Sequence, residues 1–272
     1  MEEIQNMVTQ TTAPPVPAKP YGTLIIHGGK SSSGALNDTW IFDIGSRTWT
    51  SGPSLPADNP SSSTLALSND VLYTVTSTSD FAQSIHSLAL KPQGLKLLPA
   101  QTEWTTITIP TNPLTPGPLA RTGAPLAPIT TGSGRLYLLY LMGERLHPPS
   151  ANKDPNQESA PATLLSDAHL YGLPSSLTTA SGLKDSIRST VGLSTPSQSW
   201  EEAGVDANLE GAKSEEKGEG KAHPGPRAWM AFDGLRYSSL AVKEQGHGVV
   251  IWGGRNARGE VEGDGWVVRI GS

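Results

Sequence analysis

Thr23-Leu24-Ile25-Ile26-His27-Gly28-Gly29-Lys30-Ser31-Ser32-Ser33-Gly34-Ala35-Leu36-Asn37-Asp38-Thr39-Trp40-Ile41-Phe42-Asp43 is the stretch that decides the fold. A short apolar strand over residues 23–27 ends in Gly28-Gly29, and a polar turn over residues 31–34 leads through Asn37-Asp38 to an aromatic strand over residues 39–43. A tight turn at Gly45-Ser46-Arg47 then brings the chain to Trp49, and prolines crowd residues 53–60. Adjacent glycines permit positive φ and close backbone approach where sheets converge. Trp40 and Trp49 carry more apolar surface than one twisted sheet can cover alone, so they predict a neighbouring sheet packed face to face. The prolines stop edge pairing and mark the passage to the next sheet.

Working outward, the same order recurs. Residues 63–67, 70–75 and 86–90 read as three strands with Trp104 on a fourth, although Ser and Thr replace the glycine pair. A third unit opens with an inner strand from Gly117 to about Ile129, continues over residues 135–140 to Gly143-Glu144 and over residues 167–171, and ends with Trp200 on a fourth strand. The last unit is strong again: residues 228–232, then Gly248-Val249-Val250-Ile251-Trp252-Gly253-Gly254, then Asp264-Gly265-Trp266-Val267-Val268-Arg269-Ile270. Repetition of this kind predicts an all-β fold of about four blades, with Gly28, Gly29, Gly253, Gly254, Trp40, Trp49, Trp104, Trp200 and Trp266 as the residues that build them.

Composition agrees. Among 272 residues, 29 are Gly and 23 Pro while only 17% are charged, a balance that favours short strands and turns over helices. A net charge of −5 offers no basic footprint for nucleic acid or an acidic membrane surface, so neither is expected as a partner. With 0 Cys there is no disulfide, thiolate ligand or cysteine nucleophile, which suits a reducing compartment. Residues 1–19 are polar and then Pro-rich, without the apolar core of a signal peptide, and no apolar run approaches the ~18 residues that span a bilayer. A cytoplasmic or nuclear protein is expected, and the Asn37-Asp38-Thr39 sequon is read as chance.

The domain plan is a Pro-rich segment over residues 1–20 followed by blades over residues 21–272. Two insertions interrupt the blades, at about residues 145–163 and 174–222; the second holds a short helical pattern at residues 182–191 and a Glu/Lys/Gly run read as a solvated linker. The first blade lacks an inner strand and the last lacks a fourth, Trp-bearing one. Exposed part-blades leave unpaired edges, so the expectation is a C-terminal portion of a larger ring, with a self-sealed four-blade ring as the rival.

Several stretches resemble the fungal kelch-repeat proteins of the galactose-oxidase/kelch propeller superfamily, which is distantly related to plant nitrile-specifier proteins. The matching residues are 24–29 with 36–43 and 47–49, 132–144, 184–192 with Trp200, and 223–229 with 250–254 and 263–270. The resemblance implies a six-bladed ring closed by an N-terminal Trp strand, of which this sequence would be an N-terminally truncated form. It also implies a surface that docks an unknown protein partner.

Catalytic relatives fare poorly against these residues. The copper site of galactose oxidase needs a cysteine-linked tyrosine, and Cys is absent. Specifier proteins imply iron on a Glu, an Asp and a His spaced four apart, a donor set suited to Fe(II). Here Glu260 and Asp264 keep the spacing but Val268 stands in the third place, so they remain weak metal candidates. No nucleophile triad or phosphate-cradling loop is present, and none of the six histidines sits in a ligand pattern. No catalytic residue and no cofactor is therefore expected. Arg121 and Arg227 each follow a Gly-Pro and precede an inner strand. At equivalent repeat positions they would line one mouth of the channel as partner contacts, or else pair with a carboxylate or hydrogen-bond the backbone of an adjacent blade. The functional expectation is a non-catalytic protein-interaction scaffold, and its alternative is an iron-assisted, nitrile-specifier-like protein acting on thioglucoside breakdown products.

Overall fold

Alternating apolar residues and turn residues at short intervals produce strands throughout: among the described residues of the computed structural model there is no helix. The described residues are 22–56, 64–77, 82–94, 96–109, 117–130, 135–146, 163–174, 199–204, 223–238 and 245–270. The segments 1–21 and 175–198, and most of both insertions, lie outside them, as does the helical pattern at residues 182–191.

Four antiparallel sheets of three or more strands, called blades below, follow one another along the chain. Blade 1 is β1 (Thr23–Ser31), β2 (Gly34–Asp43) and β3 (Thr48–Ser51) in that order. Blade 2 is β4 (Ala66–Ser68), β5 (Val71–Ser77) and β6 (Ala82–Gln93), the last pairing both β7 (Lys96–Pro99) and β8 (Thr105–Thr108). Blade 3 follows a two-residue strand β9 (Arg121–Thr122) and runs β10 (Leu126–Thr130), β11 (Leu136–Leu141), β13 (Ala168–Gly172) and β14 (Trp200–Glu202); β12 (Glu144–Arg145) pairs β9. Blade 4 follows β15 (Arg227–Ala228) and runs β16 (Ala231–Ser238), β17 (Gln245–Trp252) and β19 (Gly265–Ile270); β18 (Arg255–Asn256) pairs β15.

The differences from the sequence expectation have local causes. Residues 23–27 do not end at the glycines: β1 bulges between His27 and Gly29 and continues to Ser31, leaving a turn of two residues. Trp104 lies just ahead of β8 rather than on it, and its indole N–H donates to the Pro53 carbonyl of blade 1 at 3.0 Å. The inner strand of blade 3 starts only at Leu126, and residues 228–232 are broken in two because Trp229 adopts φ of 63°.

Blades stack by interleaving side chains from facing sheets. Adjacent residues on a strand point to opposite faces. So in the unbroken apolar run of β11, Leu138 and Tyr140 pack towards blade 2 with Val75 and Ile85, while Leu139 and Leu141 pack towards blade 4 with Val249 and Ile251. Leu72, Leu88, Leu97 and Trp104 close the gap between blades 1 and 2. Fully burying one such side chain stabilises the fold by about 1.5–3 kcal/mol. The two end faces differ: Leu24, Ile26, Trp40 and Trp49 are exposed on blade 1, and Trp252 and Val267 on blade 4.

Candidate functional site

Strands β1, β11 and β17 each meet a pair of positive-φ residues: Gly28 and Gly29 within β1 (62° and 112°), Met142 and Gly143 just after β11 (53° and 98°), Gly253 and Gly254 just after β17 (67° and 100°). After β11 and β17 the pair lets the chain leave the sheet, whereas in β1 it forms a bulge through which the strand continues to Ser31. At Gly143 the close approach is explicit: an added Cβ would lie 2.7 Å from Ala124 Cβ and 3.0 Å from the Thr122 carbonyl.

Beside the pairs after β11 and β17 lie the two arginines singled out from the repeat. Arg121 is 0% exposed; its guanidinium donates to both Asp167 carboxylate oxygens at 2.6 and 2.8 Å and to the Met142 carbonyl at 2.9 Å. Arg227 is 1% exposed and donates in the same way to Asp264, at 2.6 and 3.3 Å, and to the Gly253 carbonyl at 3.0 Å. Both buried guanidinium groups are thus engaged by a carboxylate and a backbone carbonyl of their own blade. His169 bonds the same Asp167 through Nε2 at 2.9 Å. Burial alone would raise the Asp167 carboxyl, but the bonds from His169 and Arg121, with their charge, hold it well below the usual carboxylate range.

Above them the mouth is open. A hollow of about 730 Å³ is bordered by Gly29 and Lys30 of blade 1, Thr64 ahead of blade 2, Pro125 and Glu144 of blade 3, and Trp229 and Met230 of blade 4. Trp229 is the residue that sequence reading missed. It was absorbed into a strand, yet it is 57% exposed and lies in the left-handed region. A bulky side chain there is a genuine outlier that persists only where surroundings enforce it. They do so here: the Trp229 amide donates to the Gly123 carbonyl at 2.8 Å, and the indole lies over Gly123, where any Cβ would meet Trp229 Cδ2 at 2.7 Å. Gly123, two residues after Arg121 as Trp229 is after Arg227, has φ of 64°. The signal that could have found it was this alignment, with Trp at a position whose repeat partner is Gly. Val261, 86% exposed, and Arg255 border the other side of the indole, and Arg255 bonds Glu144 of blade 3 at 3.2 Å.

The metal candidates do not meet. The Asp264 carboxylate accepts from Arg227 and from the Trp266 indole N–H at 2.8 Å, and Glu260 accepts from Asn256 Nδ2 at 3.1 Å beside a surface turn. Val268 pairs Val249 on the next strand. Among the described residues no three His, Asp or Glu side chains gather as a metal group, and a carboxylate already neutralised by a guanidinium is a poor iron ligand. The donor set therefore does not fit iron. Of the blade-building residues, Trp104 and Trp200 are buried between blades, Trp266 packs partly buried against blade 3, and Trp40 and Trp49 lie on the exposed face of blade 1.

Blades 1 and 2 enclose a polar layer instead. His27 Nδ1 bonds Thr39 Oγ1 at 3.0 Å, and His86 bonds Thr76 Oγ1 at 2.7 Å and Thr106 Oγ1 at 2.9 Å. Burial, followed by the nearby His27, lowers His86 to about 4, and burial likewise lowers His27. A histidine whose folded pKa is depressed stabilises the fold above its unfolded pKa of 6.5; that contribution is lost as pH falls from 6.5 through about 4. The urea midpoint is expected to fall across this window, and a His86→Gln variant is expected to show a shallower decline. An NMR titration should find the His86 ring neutral at pH 5; a midpoint near 6.5 would contradict the assignment.

A profile of the Kelch motif family matches residues 18–56, covering blade 1. No curated protein matches. Among solved structures the chain is similar to one described as "Structure of YjhT", at 11% identity and a TM-score of 0.46, over 87% of this chain and 53% of that one. The chain thus spans about half the length of that structure. Among the described residues no helix is long and apolar enough to cross a membrane.

Proposed function

We propose that the chain is a non-catalytic scaffold that binds a protein partner at the mouth carrying Trp229. Kelch repeats commonly mediate protein–protein interaction, and the Kelch match over residues 18–56 supports that class. The single observation that carries the location is the half-exposed, backbone-strained Trp229 at the rim of the hollow. Exposed tryptophans set in pockets dominate binding energy at interfaces, whereas a strained position without a task is readily replaced. Lys30 and the Arg255–Glu144 pair give the rim its polar contacts. A photo-crosslinking residue at Val261 is expected to capture a discrete protein, while the same residue at Val267 on the end face captures a different set or none. Identical captures at both positions would remove the mouth as the site.

The exposed apolar faces of blades 1 and 4 support a second part of this reading, in which the four blades work as a portion of a larger ring whose neighbours cover those faces.

A further inference from the structure

We propose that the edge of β1 over residues 23–27, outermost in its sheet among the described residues, together with the Gly28 carbonyl and the Asp38 carboxylate, is a docking site for an extended, arginine-led segment of a partner polypeptide. It adjoins the Trp229 mouth, which Gly29 and Lys30 of β1 border, but does not depend on Trp229.

The register fixes which residues correspond. His27 pairs Thr39, Leu141 pairs Ala168 and Trp252 pairs Gly265, each just before the positive-φ pair of its blade. Asp38, Asp167 and Asp264 therefore share one position, and Trp40, His169 and Trp266 share another two residues on. The ring nitrogens at that second position bond the aspartates in all three blades, at 2.8 Å from Trp40, 2.9 Å from His169 and 2.8 Å from Trp266. In blades 3 and 4 the set is completed by an arginine a few residues ahead of the inner strand. Arg121 joins Asp167 to the Met142 carbonyl, and Arg227 joins Asp264 to the Gly253 carbonyl. The inner strands β10 and β16 then pair along β11 and β17.

Blade 1 presents the same acceptors, and β1 is the strand that corresponds to β11 and β17. Among the described residues, however, β1 is the edge of its sheet and no guanidinium pairs with Asp38. Residues 1–21 contain no arginine. Blade 2 makes the instructive contrast. No arginine precedes its inner strand, and Thr76-Ser77 stand where the glycine pair would be, so seat and arginine are missing together. Blade 1 keeps the seat. A carboxylate beside a carbonyl accepts the planar fork of a guanidinium, which a lysine cannot reproduce. The adjoining strand edge accepts a main-chain ladder, so the ligand chemistry is an arginine followed by an apolar strand.

The test uses the full chain and a fluorescein-labelled peptide with the sequence of residues 119–130, whose single arginine is Arg121. Anisotropy should show saturable binding. Asp38→Asn in the chain, or Arg121→Ala in the peptide, should weaken it about tenfold. Asp233→Asn, which removes an exposed charge on blade 4, should leave it unchanged. The peptide change leaves the chain untouched, so a folding defect in the Asp38 variant cannot mask the outcome. Absence of saturable binding overturns the proposal, and so does binding that ignores both substitutions.

Discussion

Arg121→Ala is expected to lower the unfolding free energy by about 3–5 kcal/mol. The guanidinium is fully buried, ties Asp167 to the Met142 carbonyl, and lies 5.3 Å from the Tyr140 ring centroid. Removing it leaves the Asp167 charge without its main counter-ion, with only His169 still bonded to the carboxylate. It also unties the start of β13 from the end of β11, and so loosens the very turn that shapes the mouth. Urea unfolding at pH 7 measures the loss. Asp167→Asn in the Arg121→Ala background should recover part of it, because no unpaired charge then remains. The exposed Arg255–Glu144 pair offers the contrast: Arg255→Ala should change stability by about 1 kcal/mol or less.

Trp229→Gly is expected to behave in the opposite sense. An ordinary half-buried tryptophan would cost several kcal/mol when truncated to glycine. Here the left-handed backbone of Trp229 stores about 1–3 kcal/mol of strain that glycine releases, offsetting the indole surface lost over Gly123. Stability should stay within about 1 kcal/mol of the parent chain. Partner affinity, in contrast, should fall by about 2 kcal/mol or more, roughly 30-fold, if the indole is the anchor. Trp229→Asn, which tolerates the same φ, separates the loss of the ring from the release of the backbone.

Much of the architecture was legible because blades are built from short-range patterns. The Gly28-Gly29 pair, the Asp38 and Trp40 spacing and their counterparts at Gly253-Gly254, Asp264 and Trp266 each report one turn and one strand start. What sequence could not show was which way a side chain points once blades assemble. Arg121 and Arg227 stand out in the sequence by their equivalent repeat positions, but whether each meets solvent or a carboxylate depends on Asp167 and Asp264, 46 and 37 residues away. Trp229 was hidden for a similar reason. Apolar neighbours on both sides read as strand, while the amide bond to Gly123 from another blade turns the backbone over. Met142 likewise takes a glycine's conformation without being one, so the third Gly-Gly equivalent is half concealed.

On the proposed function, the mouth keeps Trp229 for binding rather than for folding. Measuring thermal stability and partner affinity side by side for the parent chain and the Trp229→Gly variant tests it most directly. The expected result is a nearly unchanged unfolding midpoint together with loss of the partner. A chain that unfolds several kcal/mol more easily while still binding its partner would show that Trp229 is a packing residue and that the site lies elsewhere.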